Sequence, residues 1–313
     1  MKTLLTTFDH RLREWLLDRL HSQWQALGVP FSVAQPPRAK ESIDPEALFW
    51  CSLEFFPTEP RFREQVLAWR AGNEASLLLP RIRKFAQAAP GDPRASTWGV
   101  LDPPWRRTPK QPAEPCHGQK SVRELLEFCD RLRTKGPERR VPRRQPGKAE
   151  DTTATVILRA RHAVGADAKH FILVYLLANR SGARLRSVAD WSGQSYRNIS
   201  KAAQRWASAD ILTLEHGYAR LSNPAPWATA LNVGRDRVVL LNWRRFYDAC
   251  VTLLRSLSKA EAKSLPADGP VVAGLIREAA DEASASLEVE PSTPSETVQG
   301  FRQLLSSLQA TSA

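Results

Sequence analysis

Residues that build covalent or metal-held frameworks are scarce in this chain. Its 313 residues include four cysteines, Cys51, Cys116, Cys129 and Cys250, and no two of them have the two-residue gap of a zinc or thiol-redox site. Cys116 is followed directly by His117, with Cys129 further on, a spacing poorly suited to zinc. This usage implies reduced thiols in a cytoplasmic protein, with no metal and no cofactor. No uninterrupted apolar run is long enough to span a bilayer, so no membrane partner is expected. The opening MKTLLTTFDHRLREWLLDRL has charges at Asp9, Arg11, Arg13 and Glu14 and lacks the apolar centre of a secretory signal. A Gly-rich phosphate loop, a His-Glu-x-x-His helix and a Gly-x-Ser-x-Gly elbow are all absent. His170, on an apolar helical stretch, reads as a core histidine. Asp44, Glu46 and Glu54 read as cap and surface charges rather than as a catalytic carboxylate pair. The inventory therefore assigns no catalytic residue, and the chain is not read as an enzyme.

What is abundant is positive charge. The formal net charge is +12 and the hydrophobic fraction 42%, enough for real cores and a preference for polyanionic partners, nucleic acid first. The surplus is uneven: net +2 over residues 1–88, +5 over 89–152, +6 over 153–222 and −1 over 223–313. These segments also differ in pattern, and the fold class expected is mainly α. Residues 1–88 form an N-terminal helical domain. Leu12, Trp15, Leu16, Leu20, Trp24 and Leu27 recur at helical spacing. A second helix opens at Asp44-Pro45 and runs to Phe56, a third opens at Thr58, and a fourth spans Ser76–Ala86. Their tryptophans, Trp15, Trp24, Trp50 and Trp69, are assigned to the core. Residues 89–152 form a Pro/Arg-rich linker with one short helix, Ser121–Arg133. Its Arg139, Arg140, Arg143 and Arg144 are a candidate basic arm for phosphates or a minor groove, or equally a solvated tether.

Residues 153–222 carry the sharpest signal: an apolar helix over Asp167–Ala178, a helix over Arg184–Trp191, a tight turn, a helix over Ser195–Ser208 and a hairpin of Ile211–Leu214 with Tyr218–Leu221. This is the layout of a winged helix-turn-helix. Ala189 is small enough for close helix packing, Gly193 can take the positive φ of the turn, and Ile199 points back into the core with Val188, Ala202 and Trp206. The opposite face of the Ser195–Ser208 helix holds side chains suited to DNA. Tyr196, Arg197, Asn198 and Lys201 are the candidate groove contacts, and Gln194, Ser195 and Arg205 the candidate backbone contacts. Arg184 and Arg186 could clamp phosphate from the preceding helix. In the hairpin, His216 and Arg220 could graze phosphates, although Glu215 at the tip argues against deep insertion. Residues 223–313 form a C-terminal helical region, with a possible strand at Val238–Leu241 and helices at Trp243–Leu257, Val271–Leu287 and Val298–Leu308.

The string VADWSGQSYRNISKA, entering a hairpin at Ile211-Leu212-Thr213-Leu214, resembles the winged-helix domain of bacterial transcriptional regulators of the MarR and ArsR type. The likeness covers about a quarter of the chain, and the chain departs from those small proteins in its length. The order of domains is similar to that of larger winged-helix antitoxins paired with nucleotidyltransferase toxins. The resemblance implies a DNA-binding transcriptional regulator, read here as a sequence-specific double-stranded DNA-binding repressor of its own operon, and the helices at Trp243–Leu257 and Val271–Leu287 carry enough apolar surface to pack on the winged helix or to form a homodimer. The alternative it leaves open is an interaction module, an antitoxin or defence-complex subunit, that uses the winged helix to bind a protein partner. A plasmid replication initiator is a third possibility.

Overall fold

The computed structural model describes residues 2–31, 41–73, 77–88, 153–233, 238–262, 274 and 295–312. Among them are eleven α-helices and a small antiparallel sheet, so the fold is mainly α. No helix among the described residues is long and apolar enough to cross a membrane. The chain divides into two units, Met1–Leu78 with Pro146–Ala313, and Leu79–Gln145.

Helix α1 (Lys2–Ala26) buries Leu12, Leu16, Leu20 and Trp24 along one stripe, the spacing expected of a helix with one inward face. Helix α2 (Pro45–Ser52) opens where its signals lie: the Asp44 carboxylate accepts from the amides of Glu46 and Ala47, both at 3.1 Å, and Pro45 fills the first turn. It ends at Ser52, a turn short of the expected Phe56. Helix α3 (Pro60–Gly72) begins later than Thr58, at a Glu59 whose side chain makes no capping bond. Helix α4 (Leu79–Ala88) replaces the expected Ser76–Ala86 and opens the second unit.

In the first unit, α5 (Val156–Val164) and α6 (Ala168–Ala178) are followed by β1 (Ala183–Arg184), α7 (Leu185–Ser192), α8 (Tyr196–Ala207), β2 (Leu212–Glu215) and β3 (Tyr218–Leu221). The sheet order is β1-β3-β2, with Ala183 opposite Ala219, Leu212 opposite Leu221 and Glu215 opposite Tyr218. Strand β1 had no signal, because two residues are too few to display alternation. Gly182 makes it possible: its φ is +107°, and a Cβ there would lie 2.6 Å from the Tyr218 ring and 2.8 Å from the Ala219 carbonyl oxygen. Helix α9 (Pro224–Ala230) was hidden by its own prolines, yet Pro224 occupies the first turn and Asn223 caps the Ala225 amide at 3.3 Å. The strand anticipated at Val238–Leu241 is a single parallel bridge between Glu41 and Val239. Helices α10 (Trp243–Ala262) and α11 (Glu296–Ser312) close the unit. The expected Ser121–Arg133 helix lies outside the described residues, as does Val271–Leu287 apart from Gly274.

Long-range polar ties join these parts. Residues 41–43 thread between three of them: Ser42 N donates to the Val239 carbonyl, Ile43 N to that of Ala154, and the Glu41 carboxylate receives Ser295 Oγ at 2.6 Å and Thr297 N at 3.0 Å at the start of α11. The most consequential tie corrects an expectation. Glu46 is not a surface charge. It is fully buried, and both its oxygens accept from the Arg161 guanidinium at 2.7 Å. Arg161 Nε donates to Nε2 of His170, itself fully buried, and the Leu78 amide donates to Glu46 Oε1 at 2.8 Å. A charge removed from water needs such multiple partners. Asp44 is indeed a cap, and Glu54 pairs near the surface with Arg255 at 2.6 Å.

Candidate functional site

Helix α8 owes its position to one apolar stripe and two caps. Ser195 Oγ accepts from the Asn198 amide at 3.2 Å, satisfying one of the donors a helix start leaves over. Ile199, Ala203 and Trp206 are buried, with Ala202 half-buried beside them. Trp206 stacks on Trp227 of α9 with ring centroids 6.0 Å apart. Gly193 ends α7 in the left-handed conformation at φ +66°, so α8 starts within three residues and packs over Val188 and Ala189, both buried. Two bonds fasten α7 in turn to the lead into α10: Trp191 Nε1 donates to the Leu241 carbonyl at 3.2 Å, and Asn242 Nδ2 to that of Asp190 at 3.4 Å.

The other side of α8 is exposed. Tyr196, Arg197, Asn198, Lys201, Gln204 and Arg205 all face solvent, and the helix contains no acidic residue. Arg197, Lys201 and Arg205 form no ion pair among the described residues. Three cations within nine residues, with no internal counter-charge, make a surface that favours an anion. Ser195 is exposed at the cap, and Gln194 is half-buried in the turn.

The remaining candidates flank this face. Arg184, in β1, is exposed. Arg186, in α7, is exposed but shares its charge with Asp190 one turn on, Nε to Oδ1 3.4 Å. His216 and Gly217 form the hairpin tip with φ of +48° and +78°, as a two-residue turn between antiparallel strands requires. The tip is joined to both helices: Leu185 N donates to the Gly217 carbonyl at 2.9 Å, and the Tyr196 hydroxyl lies 3.6 Å from where a Cβ on Gly217 would stand. Arg220 projects from β3. Arg139, Arg140, Arg143 and Arg144 lie outside the described residues.

One exposed residue of this region was missed in the sequence. Tyr218 is 42% exposed, and with Tyr196 at 43% it completes the set of exposed large hydrophobics among the described residues. The β3 alternation carried the signal, since Tyr218 and Arg220 point out while Ala219 and Leu221 are buried. Elsewhere nothing reactive is gathered. No three His, Cys, Asp or Glu side chains converge among the described residues in a way that could hold a metal ion. Cys51 and Cys250 are buried thiols, and burial, with Cys51 nearby, pushes that of Cys250 well up.

No family model, no curated protein and no solved structure matches this chain.

Proposed function

We propose that residues 153–222 act as a winged helix-turn-helix and that the chain is a sequence-specific double-stranded DNA-binding regulator, repressing its own operon. The observation that carries this reading is the face of α8: Arg197, Asn198, Lys201, Gln204 and Arg205 are exposed together on a helix without an acidic residue. Those side chains match base edges and phosphates. Arginine and lysine pair with guanine O6 and N7, asparagine and glutamine with adenine, and serine with phosphate. In this reading Tyr196, Arg197, Asn198 and Lys201 enter the major groove, while Gln194, Ser195, Arg205, Arg184 and Arg186 hold the backbone. Repression follows from occupancy of the operator, and two copies of the chain would read half-sites about 34 Å apart. Much of the affinity is ionic and falls steeply with salt.

A second reading, in which the same module binds a protein such as a toxin or a defence-complex subunit, draws support from the hairpin. Its tip carries Glu215 beside His216 and no lysine or arginine. A fluorescence-anisotropy titration separates the two. Duplex from the protein's own upstream region and a scrambled duplex are compared at two salt concentrations. Preference for the upstream DNA that disappears in Arg197→Ala supports the regulator. Equal binding to both duplexes removes the sequence-reading part of the proposal. No binding to either favours the protein partner.

A further inference from the structure

We propose that Trp191 and Asn242 are positioning residues for base reading: together they fix the end of α7, and through it the first turn of α8, against the start of α10. The inference rests on the function proposed above and adds to it two buried side chains that lie outside the DNA-facing set. A helix leaves its last four carbonyls without partners inside it. In α7 two of these four, those of Ala189 and Asp190, receive side-chain donors: Ser192 Oγ at 3.3 Å, and Asn242 Nδ2, 52 residues away in the chain, at 3.4 Å. Beside them Trp191 Nε1 donates to the Leu241 carbonyl at 3.2 Å. Two consecutive residues of α7 are thus clasped to two consecutive residues at the lead into α10.

Asn242 uses both ends of its amide. Its Oδ1 accepts from the Arg245 amide at 3.2 Å and caps α10, while its Nδ2 serves α7. Aspartate could fill the first role but not the second, because an ionised carboxylate only accepts. Each side of the clasp is seated in turn. The Trp191 ring packs against Phe171 and Tyr175 of α6, with centroids 5.9 and 5.5 Å away. Across from it, Trp243 Nε1 donates to the Ser42 carbonyl, and Ser42 N to that of Val239. The consequence falls on α8. Gly193 turns the chain and α8 opens at Tyr196, so Tyr196, Arg197 and Asn198 follow Trp191 by only five to seven positions. Hydrogen bonds to base edges are directional and tolerate displacements of about 0.5 Å. Attraction to phosphate is ionic and declines slowly with distance. Releasing the clasp therefore damages base reading before it damages non-specific binding.

Two substitutions release the clasp by different routes. Asn242→Asp keeps the acceptor that caps α10 and removes the donor to α7. Trp191→Phe keeps an aromatic ring beside Phe171 and Tyr175 and removes the Nε1 donor. The full-length parent and each variant, checked for folding by circular dichroism, are titrated by fluorescence anisotropy. The probes are duplex from the protein's own upstream region and a scrambled duplex, each at two salt concentrations. In both variants affinity for the upstream duplex should fall by about tenfold, the size of one base contact. Affinity for the scrambled duplex should stay within about twofold of the parent, with the same salt slope, because no phosphate contact is removed. The ratio of the two affinities is the deciding quantity, since general loosening of the fold would lower both together. A folded variant that keeps the parent's preference overturns the inference and leaves the α8 reading standing. An equal fall on both duplexes also overturns it and makes Trp191 and Asn242 merely structural. A parent that shows no preference overturns the regulator and this inference with it.

Discussion

Helices α2 and α8 are both short, and each is capped by a polar side chain at its first turn, but they handle charge in opposite ways. Every residue of α2 is buried, including the carboxylate of Glu46, which is closed off by Arg161. In α8 only Ile199, Ala203 and Trp206 are buried, and Arg197, Lys201 and Arg205 stand in water. The difference teaches what each charge is for. A buried charge must find all its partners inside the chain, so it fixes how segments join. An exposed cation without a partner adds little to stability and remains available to an outside anion.

The contrast can be broken from either side. The largest effect is expected in α2. Glu46→Ala leaves the Arg161 guanidinium buried without its carboxylate and should lower unfolding free energy by about 3–5 kcal/mol in urea melts. Replacing both partners, Glu46→Leu with Arg161→Met, should recover most of that, since two apolar groups leave no orphaned charge. A loss below about 1 kcal/mol for the single change would contradict the burial described above. Next comes Arg197→Ala, with the reverse signature: stability within about 0.5 kcal/mol of the parent, and specific DNA affinity reduced by about 1–3 kcal/mol. A melt displaced as far as that of Glu46→Ala would make Arg197 structural.

The caps offer a narrower comparison. Removing an N-cap typically costs about 1 kcal/mol, within roughly 0.5–2. Asp44→Ala, at a buried cap bonded to two amides, should fall at the upper end, and Ser195→Ala, at an exposed cap bonded to one, at the lower. Equal losses would show that burial does not matter to these caps. The smallest effect concerns acidity. Burial lowers the His21 pKa below 6.5, with the charges of Asp18 and Glu59 opposing, and its ring lies 4.6 Å from Phe31 and 5.1 Å from Phe62. Between that lowered value and 6.5 the unfolded chain binds the proton and the folded one resists it. Stability should therefore decline as pH falls through this window, level off below it and be unaffected above 6.5. His21→Gln should flatten that part of the profile in thermal melts.

Much of the region around α8 was legible residue by residue. Gly193 takes the positive φ expected of it, Ala189 and Ile199 are buried, and Ser195 caps the helix that begins after it. Each of these is a local requirement: a turn needs a residue without a Cβ, a helix start needs an acceptor, and an amphipathic stripe faces inward. The misses share the opposite property. Strand β1 exists through its pairing with β3, and Tyr218 is pinned by contacts with Ser181 and Gly182, thirty-seven residues away in the case of Ser181. Helix α9 was concealed because prolines that interrupt a helix interior are tolerated in its first turn.

By itself, then, the sequence determined the local periodicities and the caps, and it placed basic residues on one side of α8, because these depend on neighbours within a few positions. It could not decide which charges go inside. Glu46 and Arg161 are 115 residues apart, and nothing near either one distinguishes an internal ion pair from two solvated side chains. Tertiary structure made that decision by bringing Glu46 of α2 to Arg161 of α5, which His170 of α6 holds in turn, a place where desolvation can be offset only by geometry that supplies several partners at once.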